Sequence, residues 1–322
     1  QGGSMPRQAL ISVGAGLASA SASLAFIAGV PFALLLVYLA PLPLMMAGLG
    51  LGPRAAVIGS AAGAVATGWA GGVASMVIFI AAQALPATML VALAMSQRRQ
   101  AGTADPQGGI NWFPPGEIAA LLAVLGSSLL VLTAASSADV GLSALISAHL
   151  GEAFGMMAPN VPEEARQRFA DMLTPLFPGA VAASWVVMTV VNAALAQGLL
   201  VRMEKNLRPS PAYSAIDLPQ WLSWPLVAAA VVALASSGEW EYVGRNVAMT
   251  LAVPYFLLGL AVVHTLARRV TFTGPLLVAF YLVIVVSLWA ALVVAGIGVV
   301  EHWFGLRDRS NASSPQSRGD ED

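Results

Sequence analysis

The sequence predicts an all-α polytopic membrane protein: a bundle of eight or nine transmembrane helices with short amphipathic helices in an outer loop. Three observations predict it. The 322 residues are 58% hydrophobic and only 10% charged, against about 25% charged in a soluble domain. The mean hydropathy is +0.78. The apolar residues also fall in runs of roughly 20, the length a helix needs to cross the hydrocarbon of a bilayer.

In chain order the runs are Leu10–Ala28, Pro31–Gly48, Ala55–Gly71, Val73–Met95, Ile118–Ala135, Gly179–Val201, Leu222–Ala235, Val247–Leu266 and Pro275–Val300. The last is long enough for one tilted helix or a broken one, and the two flanking Val30 are closely spaced. Loop charge orients them. Arg7 precedes the first run, and Arg54, Arg98 with Arg99, Arg202 with Lys205 and Arg208, and Arg268 with Arg269 fall in alternate loops. The opposite loops hold Arg166, Arg168 and Arg245. The excess of Lys and Arg on the cytoplasmic side then places the N-terminus in the cytoplasm. Arg307 and Arg309 place the tail there too, which nine full crossings would forbid and eight would allow.

The first run, GAGLASASASLAFIAG from Gly14 to Gly29, is built of small residues. Gly14, Ala18 and Ala22 are spaced by four, as are Ala15, Ser19 and Ser23. Association in lipid depends on close packing, so such ridges suit helix contact. The partner is either a neighbour such as Ala55–Gly71, with Gly59, Gly63 and Gly68, or another membrane protein. In PLPLMMAGLGLGPR, Pro41 to Arg54, two prolines remove backbone donors and the glycines loosen the helix end. Irregular backbone at membrane depth is tolerated where it is buried or lines a cavity, so Pro41–Gly52 is a candidate cavity wall.

The outer loop, about residues 136–176, is more than a linker. Leu142, Leu145, Ile146, Leu150, Phe154 and Met157 repeat at helical spacing. Asn160, Pro162, Glu163 and Glu164 read as a helix start, with a capping residue, an early proline and acids at the positive end of the dipole. Phe169, Met172, Leu173 and Leu176 continue one apolar face. Two short helices are expected, either capping the bundle or closing over an outward pocket. Residues 97–116 form an inner loop. Residues 1–4 (QGGS) read as an expression scar, residues 5–307 as one transmembrane domain and residues 308–322 as a disordered tail.

Composition also narrows function. No cysteine is present, which excludes disulfides, thiolate metal sites and cysteine nucleophiles. With three histidines a metal site is not expected, and no cofactor is implied. The net charge of −1 gives no field for nucleic acid. HExxH, GxSxG, the P-loop and paired intramembrane acids are all missing from the sequence, so no enzymatic motif is present. Charge at membrane depth usually marks function, but here the mid-span polar residues are neutral. Asn192 shares a helix face with Trp185, Met188, Thr189 and Ala196, and Gln83 precedes Pro86 in the fourth run. Both amides can donate and accept. They either tie neighbouring helices together or bind a polar ligand group, with Trp185 and Thr189 beside them.

The order of several stretches resembles the YybS-like bacterial membrane proteins, a family of unknown function. These are YLAPLPLMMAGLGLG, ALPATMLVALA, LFPGAVAASWVVMTVVNAALAQGLLVR, LPQWLSWP, NVAMTLAVPYFLLGLAVVHTLARR and GIGVVEHWFGLRDR. Where that family ends on an Asp before an aromatic residue and an Arg, this chain has Glu301, Trp303, Phe304 and Arg307. The family is distantly similar to the substrate-binding membrane components of energy-coupling-factor transporters. The resemblance implies that Ala18 and Ala22 form a ridge that docks on a partner. Two functions are therefore expected in competition. One is a transport component that binds a small, partly apolar metabolite at Asn192, Trp185, Thr189 and Gln83. The other is a membrane scaffold or cell-envelope assembly factor that uses Gly14, Ala18 and Ala22 to hold a protein partner or a second copy of itself.

Overall fold

In a computed structural model, residues 4–25, 27–29, 31–97, 112–211, 216–268 and 270–305 are described. Residues 1–3 of the expected scar 1–4, Arg98, Arg99, Arg269, Arg307, Arg309 and the tail 308–322 lie outside them. The described residues are helical throughout, apart from turns and one isolated bridge between Gln97 and Trp112. Two compact units emerge, one of residues 1–122 with 184–211, the other of residues 123–183 with 212–322.

The first unit begins with α1 (Ser4–Leu24), α2 (Ala33–Leu39) and α3 (Pro41–Leu51). The run expected as one span, Pro31–Gly48, is one helical stretch, Ala33–Leu51, whose hydrogen-bond ladder is interrupted at Ala40 because Pro41 and Pro43 have no N–H. Then α4 (Pro53–Phe79) passes through a π-helical turn (Ile80–Ala84) into α5 (Leu85–Ala94). Gly72 divides α4, with φ 79° and ψ 177°. The chain doubles back there: a Cβ on Gly68 would meet the Met76 side chain, and one on Gly63 the Phe79 ring. In a straight helix Gly63 and Phe79 would stand about 24 Å apart. The arms 53–71 and 73–94 are thus an antiparallel hairpin. On α1 the face turned to α4 is Ser12, Gly16, Ser19 and Ala20, all buried. A Cβ on Gly16 would collide with the Gly59 carbonyl, and one on Gly59 would come 2.8 Å from the Ser12 carbonyl oxygen.

Arg208 closes this unit. Its guanidinium donates to the Ala94 carbonyl at 2.8 Å and the Phe113 carbonyl at 3.0 Å, and lies over the Trp112 ring. Gln197 Nε2 donates to the Arg208 carbonyl at 2.7 Å. One buried cation therefore joins the C-terminal end of α5 to the segments around Phe113 and Gln197, where a positive charge suits the helix dipole.

The remaining helices are α6 (Pro115–Ser136), α7 (Leu142–Met157), α8 (Glu163–Leu173), α9 (Phe177–Arg202), α10 (Ser223–Ala235), α11 (Glu239–Leu251), α12 (Val253–Ala267), α13 (Thr273–Val286) and α14 (Leu288–Phe304). The two short helices expected in the loop 136–176 are α7 and α8, with the Phe154 and Phe169 rings 6.4 Å apart. Pro162, not Asn160, takes the N-cap position of α8, and no side chain caps it. Glu163 and Glu164 fill the first turn, as expected. In the second unit Gly244 packs on α10 at Ala229 and Ala233, and α12 meets α14 where Gly259 faces Val294.

Five helices among the described residues are long and apolar enough to cross a membrane: Ala33–Leu51, Pro53–Ala94, Pro115–Ser136, Glu163–Arg202 and Glu239–Ala267. The bent pair Thr273–Val286 and Trp289–Phe304 makes a sixth if counted as one span. The expected eight or nine crossings are not met on this measure, for three physical reasons. The Gly, Ala and Ser of α1 are only weakly apolar. The 13 residues of α10 are too few. The stretch Pro53–Ala94 counts once although it turns back at Gly72.

Candidate functional site

Around the join of α2 and α3, polar side chains of the first unit donate to backbone carbonyls. Ser19 Oγ donates to the Ala40 carbonyl at 2.6 Å. Asn192 Nδ2 donates to the Tyr38 carbonyl at 2.7 Å and to the Met188 carbonyl at 2.8 Å. Both acceptors are carbonyls, so the network itself fixes which end of the amide is nitrogen. Asn192 is 2% exposed, and its Oδ1 has no hydrogen-bond partner among the described residues. A buried acceptor left open costs about 1–3 kcal/mol.

A second open acceptor lies in the π-helical turn. Pro86 has no N–H to give the carbonyl four residues back, that of Ala82. The Trp185 indole Nε1–H donates to that oxygen at 2.9 Å. The next residue, Gln83, is 4% exposed, and its Oε1 has no partner among the described residues. Single π-helical turns inside α-helices recur at functional sites. Thr189 Oγ1 donates to the Trp185 carbonyl at 2.8 Å, within α9. At the edge of the cluster the hydroxyls of Tyr38 and Ser184 are hydrogen-bonded to each other.

Trp185, Thr189 and Asn192 thus share a face of α9, and Trp185 reaches the residue beside Gln83. The hairpin register adds a residue that the sequence did not single out. From the Gly63–Phe79 pairing, three residues back on one arm and four on along the other bring Ser60 level with Gln83. Ser60 is buried, and its hydroxyl also has no partner among the described residues. Only the register of the glycine-lined arm 53–71 against the arm 73–94 marks Ser60, and that register is fixed by the turn at Gly72.

Gly14 and Ala18 are exposed on α1 and Ala22 is half-buried. A Cβ on Gly14 would have no atom within 4 Å. Among the described residues no group of three or more His, Asp and Glu could hold a metal ion. Asn246 in the second unit provides a contrast to Asn192. It is fully buried and all its groups are used: Nδ2 donates to Pro175 and Tyr242 carbonyls at 3.1 and 2.8 Å, and Oδ1 accepts from the Gly179 N–H at 2.8 Å.

Apolar side chains also point outward along the long helices, among them Leu132 on α6, Val65 on α4 and Val285 and Val286 on α13. A water-soluble chain does not display so much apolar surface. Long apolar helices that hold their polar groups inside and turn aliphatic residues outward define an integral membrane protein, for which a lipid bilayer is the natural surrounding. The chain belongs to the family described as predicted membrane protein (DUF2232), whose model matches residues 18–301. No curated protein and no solved structure matches it. The family match reaches a membrane-protein family of unknown function and stops short of both the YybS-like label and any likeness to energy-coupling-factor transporters.

Proposed function

We propose that this protein binds a small, partly apolar molecule in the helical core of its first unit and serves as a membrane transport component, comparable to a transporter's substrate-binding subunit. The observation that carries the reading is two buried amide oxygens left open in the first unit, Asn192 Oδ1 on α9 and Gln83 Oε1 in the π-helical turn that Trp185 of α9 touches. A buried group this costly to leave open is readily explained by a ligand that closes it. Trp185 and Thr189 hold the local backbone, and the role is binding, not catalysis. A bacterial inner membrane with the N-terminus in the cytoplasm fits the basic residues Arg54, Arg202, Lys205 and Arg208.

Native mass spectrometry of the full chain, released from mild detergent without extensive washing, tests this. A reproducible small-molecule adduct is expected, and Asn192→Ala should remove it while the helical circular dichroism is kept. An adduct that survives Asn192→Ala and Gln83→Leu sinks the assignment.

A second reading is a scaffold or envelope assembly factor, favoured by the exposure of Gly14 and Ala18 on the face of α1 that α4 does not use. It predicts a copurifying membrane protein, or a homo-oligomer, that Ala18→Leu and Ala22→Leu release.

A further inference from the structure

We infer that α8 lies in the bilayer interface, with Phe169, Met172 and Leu173 seated among the lipid chains at that end of α9. The helix belongs to the second unit, and its lipid contact is independent of any ligand in the first. At 3.6 residues per turn these three side chains fall within about 100° of one another, while Glu164, Gln167 and Asp171 fall on the opposite side. The apolar stripe is the side that the protein leaves uncovered: Phe169 is 53% exposed, Met172 68% and Leu173 42%. Docking on α7 uses other residues. A Cβ on Gly155 would come 3.2 Å from Arg166 Nη1, and one on Gly151 would come 3.5 Å from Gln167 Oε1. Ala170, on the same side of α8, is fully buried. A helix that capped the bundle or closed over a pocket would turn its apolar stripe inward and its arginine and glutamine outward. This helix does the reverse, apart from the contact of Phe169 with the Phe154 ring.

Two observations set α8 at the membrane surface. The helical stretch Glu163–Arg202 is 40 residues long, about twice the roughly 20 that a crossing needs. Glu163, Glu164, Arg166, Arg168 and Asp171 all fall in α8, so α9 takes the hydrocarbon and α8 lies outside it. The end of α8 is also pinned to a second marker of depth. The Tyr242 hydroxyl donates to the Thr174 carbonyl at 2.8 Å, and Asn246 Nδ2 to the Pro175 carbonyl at 3.1 Å. These bonds hold Thr174 and Pro175 level with the first two turns of α11. Those turns expose Trp240 and the ion pair of Glu241 with Arg245, and exposed tryptophan beside charge marks the level where lipid meets water. Between α8 and α9, Thr174–Leu176 form a 3₁₀ turn around Pro175, a point where a helix can leave the axis of its span. An amphipathic helix at that level buries its apolar face about 5–10 Å into the boundary of head groups and acyl chains.

The sequence has no cysteine, so single spin labels can be placed without background. Met172→Cys, Leu173→Cys, Glu164→Cys and Asp171→Cys are each labelled in the full chain and reconstituted in phosphatidylcholine vesicles. Collision with oxygen, which concentrates in lipid, is compared with collision with nickel ethylenediaminediacetate, which stays in water. The Met172→Cys and Leu173→Cys labels should favour oxygen and report a depth of about 5–10 Å. The Glu164→Cys and Asp171→Cys labels should favour the chelate. The two stripe positions keep the test open if one variant misfolds. All four labels favouring the chelate would put the stripe in water and overturn the inference. All four favouring oxygen would sink α8 into the hydrocarbon and overturn it too. Stripe labels shielded from both reagents would also overturn it, because protein would then cover them. Dipolar broadening between labels would in that case identify a second copy, and its absence a partner protein or a cap folded inward.

Discussion

Gly16 of α1 lies directly against the Gly59 carbonyl of α4, so that the two helices touch backbone to backbone. A Cβ on Gly16 would also come 3.0 Å from the Gly63 amide nitrogen. In lipid, where no hydrophobic force draws helices together, such contact supplies the dispersion that holds a pair.

Gly16→Ala should therefore destabilise the protein by about 1–3 kcal/mol, the usual cost of overpacking. Gly14→Ala, two residues away with open space around it, should be neutral or stabilising by up to about 1 kcal/mol, because alanine restricts the unfolded chain. Thermal unfolding of the two variants in the same detergent compares them. Equal transition temperatures would show that α1 packs through a different face.

Gly72 makes the hairpin turn with φ 79° and ψ 177°, a region essentially closed to residues with a Cβ. A Cβ there would meet no neighbouring atom within 4 Å, so any penalty is backbone strain and not crowding. Gly72→Ala should cost about 1–3 kcal/mol, and Gly71→Ala should cost less or a different amount for a different reason, since its Cβ would meet Ser75 and Leu24. Moving Gly72→Ala into a variant with a relaxed, lengthened turn should recover the loss. No recovery would argue against strain as the cause.

Much of this fold could be read from hydropathy alone. Each of the apolar runs is helical, and the boundary between Ala55–Gly71 and Val73–Met95 falls on the Gly72 turn. The packing face of α1 could not be read this way. When nearly every residue from Ser12 to Ser23 is small, four-residue spacings exist on several faces at once, and Gly16 stands out only once Gly59 lies opposite. Crossing number was harder to read: α1 is only weakly apolar, α10 is short, and Pro53–Ala94 counts as one helix although its two runs separate at Gly72 in the sequence. The polar residues Asn192, Gln83 and Trp185 were visible as exceptions in apolar spans. Their partners were not, because the carbonyls of Tyr38 and Ala82 belong to the backbone, which no side-chain pattern marks. Arg208 shows the same limit: its charge suggests orientation, while its two carbonyl bonds make it a clasp.

Trp185 and Pro86 should be energetically coupled through the Ala82 carbonyl. Trp185→Phe removes the indole donor and should cost about 1 kcal/mol beyond its lost packing. Pro86→Ala restores a backbone N–H to the helix and gives Ala82 a donor of its own. In the double variant the Trp185→Phe penalty should shrink by about 0.5–1 kcal/mol. A double-mutant cycle by thermal or chemical unfolding reads the coupling directly, and strictly additive losses would mean that the indole bond does not answer to the proline.

Asn192 and Asn246 are both buried amides, but only Asn192 has an atom left over. Removing Asn246 leaves the Gly179 N–H and two carbonyls without their partner, so Asn246→Ala should cost about 2–4 kcal/mol and leave ligand binding unchanged in whatever fraction stays folded. Asn192→Ala frees the Tyr38 carbonyl but also removes an unsatisfied oxygen. Its stability cost should be smaller, about 1 kcal/mol, and its effect on binding large. The pair separates a structural amide from a recognising one by the same substitution in the same chain. If Asn192→Ala proves as destabilising as Asn246→Ala and leaves the bound adduct in place, the open oxygen is a packing defect, and the two asparagines do the same work.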